Sequence, residues 1–414
     1  MSIELFFPNP ESRLRLRDGP LGNDIDAFAA WLADAGYACF TAREKLQFAA
    51  DLSRWLESSQ VAVEGLDCKH IEGFQSARDP RRQRSNDRVT SRQLLDMLRS
   101  SGRIPSPRPA APGDDPIERI AHSYERFLLD ERGVQPTTVK NYLPTVRAFL
   151  LGRFGTQDIV LENLSAQDAN RFVVREAQRL SVTRAKLVVT ILRSFLRHLH
   201  QRGDIPVDLA AAIPPVMNWR RAGLPKALAP EQVESVLSGC DRSTVSGRRD
   251  YAILLLLARL GLRGGEAAAL SLDDFDWEAG IVTVPGKGQR REPLPLPREV
   301  GEAVEDYLRH GRPSECSTRR LFVRIQAPHR GFASTSAVVC IVRRALARAQ
   351  LDLPFKGAHL LRHSLATGML RHGATLEDIG QILRHRHPET TQIYAKTDLE
   401  ALSAVAQPWP GGAA

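Results

Sequence analysis

At 414 residues the chain is too long for one ordinary core, and 43% hydrophobic with 25% charged content excludes a disordered or low-complexity polymer. Fifty-seven Lys and Arg against 48 Asp and Glu leave a net charge of +9, which favours a polyanionic partner without establishing one. The longest apolar run, Ala252 to Ala258, is far too short to cross a bilayer and reads as a buried helix, so no membrane partner is expected.

The N-terminus carries no sustained apolar stretch of a secretory signal, and the cytoplasm is the expected compartment. Five scattered cysteines, Cys39, Cys68, Cys240, Cys316 and Cys340, form no C-x-x-C pair and read as reduced, buried thiols.

Residues 1–105 read as an N-terminal helical domain. Within it, Asp79 to Ser91 (DPRRQRSNDRVTS) looks like a charged connector, and Arg81, Arg82, Arg84 and Arg88 are candidates to lie along a phosphate backbone. A Pro-rich linker follows at 106–116.

The block 117–206 reads as a bundle of four or five helices. Thr137 and Thr138 are N-cap candidates for the run Val139, Tyr142, Leu143, Val146, Phe149, Leu150, which also carries the basic candidates Lys140 and Arg147. Ser165 is an N-cap candidate for the next helix, and the last runs from about Ser181 to Arg202, ended by Gly203.

The first block repeats this plan. Gly36 to Thr41 lies over Gly133 to Thr138 at an offset of 97, Leu66 to Phe74 over Leu164 to Phe172, and Leu98 to Pro105 over Leu199 to Pro206. The matches keep their order, so residues 1–105 read as a diverged duplicate of the second bundle.

A second linker, 207–229, is broken by Pro214, Pro215 and Pro225. The remainder, 230–407, mixes helices with one hairpin: Ile281 to Val284 forms a β-branched strand, Pro285 to Gln289 a turn, and Arg291 to Leu296 the returning strand. The expected fold class is therefore mainly α with a small β-hairpin in an α+β third domain.

Singly, the polar residues of this domain say little. Arg263 and Glu266 in GLRGGE are spaced for a surface pair, and Lys287 is a turn lysine. His359 and Arg362 in HLLRH share a helical face, and His385 and Tyr394 lie nine residues apart. In this order and spacing, GLRGGE, GKG between two strands, HLLRH, LRH and Tyr394 resemble the catalytic signature of the tyrosine recombinases, the phage integrase-like and Xer-type proteins. The resemblance spans about Ala227 to Gln407, and the middle block looks like that family's helical core-binding domain.

The resemblance implies a site-specific recombinase that cuts and rejoins DNA through a 3′-phosphotyrosyl intermediate. Carried over residue by residue, Arg263 and Arg362 grip the scissile phosphate, Lys287 is the hairpin lysine and general acid, and His359 and His385 are the two histidine positions. Tyr394 is the nucleophile, and Glu266 and His363 are supporting residues. One departure stands out: the family's usual glycine before the later histidine is Arg384.

The chemistry wants these residue types. Negative charge gathers on the nonbridging oxygens during attack, and arginine forks supply permanent bidentate donors for it. A phenol must lose its proton as it attacks. No cofactor and no metal are expected.

The expected partner is double-stranded DNA with paired recognition sites, held by a homo- or hetero-tetramer of recombinases. The amphipathic tail Asp398 to Pro410 is a candidate to dock on a neighbour. Two rival readings remain: an accessory DNA-binding protein without cleavage, which covalent adduct trapping separates, and a type IB topoisomerase-like relaxing enzyme, which general plasmid relaxation separates. The long N-terminal block also resembles that of the larger integrases of mobile elements.

Overall fold

The computed structural model describes residues 3–106, 115–155, 158–216, 227–286, 291–314, 316–385 and 387–394. They form two compact units, one of residues 1–105 with 224–414 and one of 106–223. Helices dominate, and among the described residues no helix is long and apolar enough to cross a membrane.

The N-terminal block is α1 (Ile3–Phe6), α2 (Pro10–Leu16), α3 (Gly22–Asp34), α4 (Cys39–Ser58), α5 (Cys68–Ala77) and α6 (Asp87–Ser100). Phe28, Leu46, Phe48, Leu52 and Leu98 close its core. Asp79 to Ser91 is not an open connector. Pro80–Arg82 is a 3-10 turn and α6 begins at Asp87, and the half-buried Arg78 clamps Asp51 at 3.0 Å and Asp87 at 2.7 Å. Internal pairing engages Asp87 and Arg84, whereas Arg81 and Arg88 stay exposed.

The second unit contains α7 (Pro116–Arg126), a π-helical turn (Phe127–Glu131), α8 (Pro136–Phe154), α9 (Ala166–Arg179) and α10 (Val182–Arg202). Tyr124, Phe149 and Phe195 are fully buried at its centre; burial of such a side chain contributes roughly 1.5–3 kcal/mol. α8 starts one residue before Thr137, with Gln135 as its N-cap and Pro136 pre-setting the first turn. Ser165 and Asp168 cap α9 reciprocally, and Gly203 ends α10 at φ +80°. Leu209, Ala210 and Ile213 are buried against this bundle, so its core runs beyond Pro206.

The two bundles share their punctuation. Each has a left-handed glycine before its long helix (Gly36, Gly133) and another after its last (Gly102, Gly203). Each has a 3-10 turn (Val63–Gly65, Leu161–Asn163) followed by a side-chain N-cap (Asp67, Ser165). Leu66 and Leu164, Phe74 and Phe172, and Ile104 and Ile205 are buried in both.

The remaining block packs around α12 (Val245–Arg259), in which Ala252 to Leu257 are wholly buried, as the unbroken apolar run implies. α11 (Pro230–Ser238) precedes it and α13 (Gly264–Ala269) follows. A three-stranded antiparallel sheet, β1 (Phe275–Asp276), β2 (Ile281–Pro285) and β3 (Arg291–Pro295), pairs Val282 with Leu294 and Val284 with Glu292. α14 (Arg298–His310), α15 (Ser336–Arg348), α16 (His359–Arg371), α17 (Leu376–Ile382) and α18 (Pro388–Thr391) complete the block.

It meets the N-terminal bundle where the His329 backbone N–H donates to the Ala35 carbonyl at 3.1 Å. Gly36 permits this approach: it sits at φ +75°, and a Cβ there would lie 2.2 Å from the His329 ring.

The five cysteines are free, but only Cys240 is buried; Cys39, Cys68 and Cys340 are exposed. Cys39 and Cys68 open helices and Cys340 lies on an outer helical face, so the expectation of buried thiols fails for these.

Candidate active site

Three chain reversals converge on one cleft. The first follows α12, where Gly261 at φ +57° turns the chain toward Arg263, the N-cap of α13. Glu266, in the first turn of that helix, accepts the Arg263 backbone N–H at 2.8 Å and Arg263 Nη1 at 2.5 Å. Burial alone would push the Glu266 carboxyl up. The Arg263 N–H and the guanidinium groups of Arg384 and Arg263 outweigh it and hold the pKa below the usual carboxylate range.

The second reversal is the start of α16, which brings His359, Arg362 and His363 onto one face. Arg362 is 3% exposed and donates to the carbonyls of Gly261 and Leu383, so it joins the first reversal to the third. Burial, then Arg263 and Arg384, lower its pKa to about 10, which leaves it cationic at neutral pH.

The third reversal ends α17. The Arg384 N–H donates to Gln381 and the His385 N–H to Gly380, both at 2.9 Å, the paired closing bonds of a helix whose next residue is left-handed. That residue is Arg384, at φ +56°. A glycine suits such a position, which is the physical content of the departure noted in the sequence. Here the arginine side chain turns inward, and its Nη2 donates to Glu266 at 2.8 Å.

His385, fixed by this turn, is hydrogen-bonded through Nδ1 to Thr391 at 2.7 Å, and its ring stacks on Tyr394 at 6.4 Å between centroids. Tyr394 is 1% exposed, and its hydroxyl lies 2.8 Å from His363 Nδ1. Burial raises the Tyr394 pKa, partly opposed by Arg362. His363 is depressed to about 4 by burial, His359 and Arg362. His385 falls to about 4 through burial, Arg362 and Arg263. His359 shifts the same way through desolvation and the same two arginines. All three imidazoles are therefore neutral at pH 7.

The cleft encloses about 860 Å³ and is lined by Arg263, Glu292, His359, Arg384 and His385 among others. Arg263 shows 40% of its side chain, whereas Arg362 and Tyr394 are buried and His363 is half-buried. Lys287 and the tail Asp398 to Pro410 lie outside the described residues.

Of the outlying basic candidates, Arg81, Arg88 and Lys140 are exposed, and Arg84 pairs with Glu44 at 2.7 Å. The Arg82 side chain is outside the described set. Arg147 is held by both oxygens of Glu118, at 2.7 and 2.8 Å, so its guanidinium is already engaged.

Sequence reasoning missed three things. Arg384 is an ion partner rather than a mere backbone anomaly, Thr391 orients His385, and His363 touches the tyrosine hydroxyl itself. Two had a signal: the departure from glycine marked Arg384, and His359 and His363 lie four residues apart on one helix.

Comparisons with known proteins give the family and the fold. The sequence model of the phage integrase family matches residues 226–400. A Sinorhizobium fredii protein named as an integrase/recombinase, y4rA, is 45% identical over 409 residues, covering 99% of each chain. The tyrosine recombinase XerD of Listeria monocytogenes is 31% identical over 288 residues, 68% of this chain and 93% of its own. Among solved structures, the XerH site-specific recombinase bound to palindromic difH substrate after cleavage is similar in fold, with a TM-score of 0.56 at 21% identity over 69% of this chain and 84% of its own.

Proposed function

The chain belongs to the phage integrase family of tyrosine recombinases, and from that premise we propose that Tyr394 is the residue through which it breaks and rejoins DNA. It is a tyrosine-type recombinase acting on DNA. The observation that carries the assignment is the contact of the Tyr394 hydroxyl with a neutral imidazole, His363, beside a cleft walled by arginine and histidine.

In the reaction we infer, Arg263 and Arg362 supply positive charge, and together with neutral His359 and His385 they supply N–H donors, to the nonbridging oxygens of the scissile phosphate. The Tyr394 oxygen forms a bond to phosphorus as the bond from phosphorus to the 5′ oxygen breaks. The phenolic proton passes to His363 Nδ1, the acceptor within hydrogen-bond reach. The departing 5′ oxygen takes a proton, on our reading from Lys287. Attack of a 5′ hydroxyl on the 3′-phosphotyrosine reverses these transfers and reseals the strand without an external energy source.

Two paired sites and an assembly of several recombinases complete the proposal, in the service of a mobile element. Residues 1–105, with their punctuation in common with 117–206, form a second, diverged DNA-recognition bundle on this reading.

Tyr394→Phe tests the core of the proposal, because it removes only the attacking oxygen. The variant is expected to bind DNA as the wild type does and to give no covalent adduct on a nicked suicide duplex. A surviving adduct places the nucleophile elsewhere.

A further inference from the structure

We propose that Arg384 is a positioning residue for cleavage: it takes up one oxygen of the Glu266 carboxylate and so leaves Arg263 with positive charge to offer the phosphate. The inference rests on the recombinase reading and deepens it.

Glu266 is 7% exposed and sits between two guanidinium groups. Its Oε1 receives Arg263 Nη1 at 2.5 Å, and its Oε2 receives Arg384 Nη2 and the Arg263 backbone N–H, each at 2.8 Å. A buried carboxylate facing Arg263 alone would form a pair with no net charge, and such a pair has little left to attract a phosphodiester. With Arg384 as a second partner and Arg362 beside them, three guanidinium groups stand against buried Glu266 and the 43%-exposed Glu292, an excess of one positive charge, and Arg263 is the member that opens to the cleft.

Arg384 also ties the parts of the site together. Its Nη1 donates to the Ile382 carbonyl at 3.1 Å, its Nε faces Glu292 on β3 at 3.8 Å, and its own carbonyl receives Arg263 Nη2 at 3.4 Å. The residue occupies a left-handed turn that glycine would fill without strain, and its side chain is 5% exposed. What the position gains over glycine is therefore the buried guanidinium.

The test uses the full chain and a nicked suicide duplex carrying a site first selected by the wild-type protein from a random-sequence pool. Single-turnover adduct formation and DNA affinity are measured for the wild type, R384G, R384K and R384G/E266Q. R384G is expected to bind DNA within about twofold of the wild type and to cleave about 10- to 100-fold more slowly, a smaller loss than removal of a donor to the phosphate itself. Glu266→Gln in the R384G background is expected to restore most of the rate, because it removes the charge that Arg384 had been offsetting. R384K, which keeps the cation, is expected to stay close to the wild type.

A purely structural role predicts no rescue by Glu266→Gln. Cleavage by R384G at the wild-type rate, a double variant no faster than R384G, or R384K as slow as R384G each overturns the proposal. R384M, which preserves the buried volume, is run in parallel with and without Glu266→Gln and decides in the same way if the glycine variant does not fold. A wild-type protein that forms no adduct would instead overturn the recombinase reading.

Discussion

Acidification probes the half-buried imidazole that touches Tyr394. The pKa of His363 falls from an ordinary 6.5 to about 4 in the folded chain. The unfolded chain therefore takes up the proton first as the pH drops. Stability is complete above the unfolded value and declines as the pH falls from there toward the folded one. For a group displaced this far, the loss between about pH 7.5 and about pH 5 is about 2 kcal/mol, and partial solvent access to the ring reduces it to about 1–2 kcal/mol.

His363→Asn removes the titration while retaining a polar side chain for the tyrosine hydroxyl. Urea unfolding of both proteins at the two pH values gives the comparison as a difference of differences. Contributions from His359, His385 and His198, whose pKa values are also lowered, are present in both proteins and cancel to first order. The wild type is expected to lose about 1–2 kcal/mol more than the variant on acidification. Equal losses would show that the His363 imidazole is as accessible to protons in the folded chain as in the unfolded one, and the argument from its burial would be wrong.

The two arginines proposed to face the phosphate, Arg263 and Arg362, are expected to separate by their stability. Arg263→Ala, at a side chain 40% exposed, should slow cleavage by about 100-fold or more while moving the thermal midpoint little. Arg362→Ala should do the same to cleavage and also cost roughly 2–4 kcal/mol in urea unfolding, because it deletes buried bonds to the Gly261 and Leu383 carbonyls. Equal stability of the two variants would refute the bridging role of Arg362. Lys287→Ala is expected to cleave poorly unless the 5′ leaving oxygen is replaced by sulfur, which departs without protonation; no gain with the sulfur substrate removes Lys287 as the general acid. Deletion of residues 1–105 should leave a protein that cuts a suicide substrate but binds the full site more weakly. Footprints identical to those of the whole chain would end the recognition role of that block.

Much of the fold was legible because its signals are local. The apolar periods of α8 and α10, the caps Ser165 and Gly203, the unbroken run in α12 and the β-branched strand from Ile281 each depend on neighbours within a turn or two. β1 escaped notice because two residues, Phe275 and Asp276, carry no period. The segment from Asp79 looked solvated because its charges were visible and Arg78, the clamp that neutralises Asp51 and Asp87, was not recognisable as one.

The site divides in the same way. Its residue types and their order could be read along the chain, but the pairing of Arg384 with Glu266 joins positions 118 residues apart. The sequence showed an arginine where a left-handed turn prefers glycine; only folding supplies the carboxylate that gives the substitution a purpose.

The burial of Tyr394 makes readiness a variable separate from reactivity. The Tyr394 hydroxyl lies against His363, with His385 stacked on its ring, in a side chain 1% exposed, so as the proposed nucleophile it must be uncovered before it meets a phosphate. If only about one molecule in a hundred is uncovered at a given moment, the observed rate is about a hundredth of the chemical one, and anything that shifts that fraction works as a throttle. On the proposal that Tyr394 is the nucleophile, such a protein is expected to occupy DNA with its strands intact until the side chain is released, so that cutting and binding are separate events.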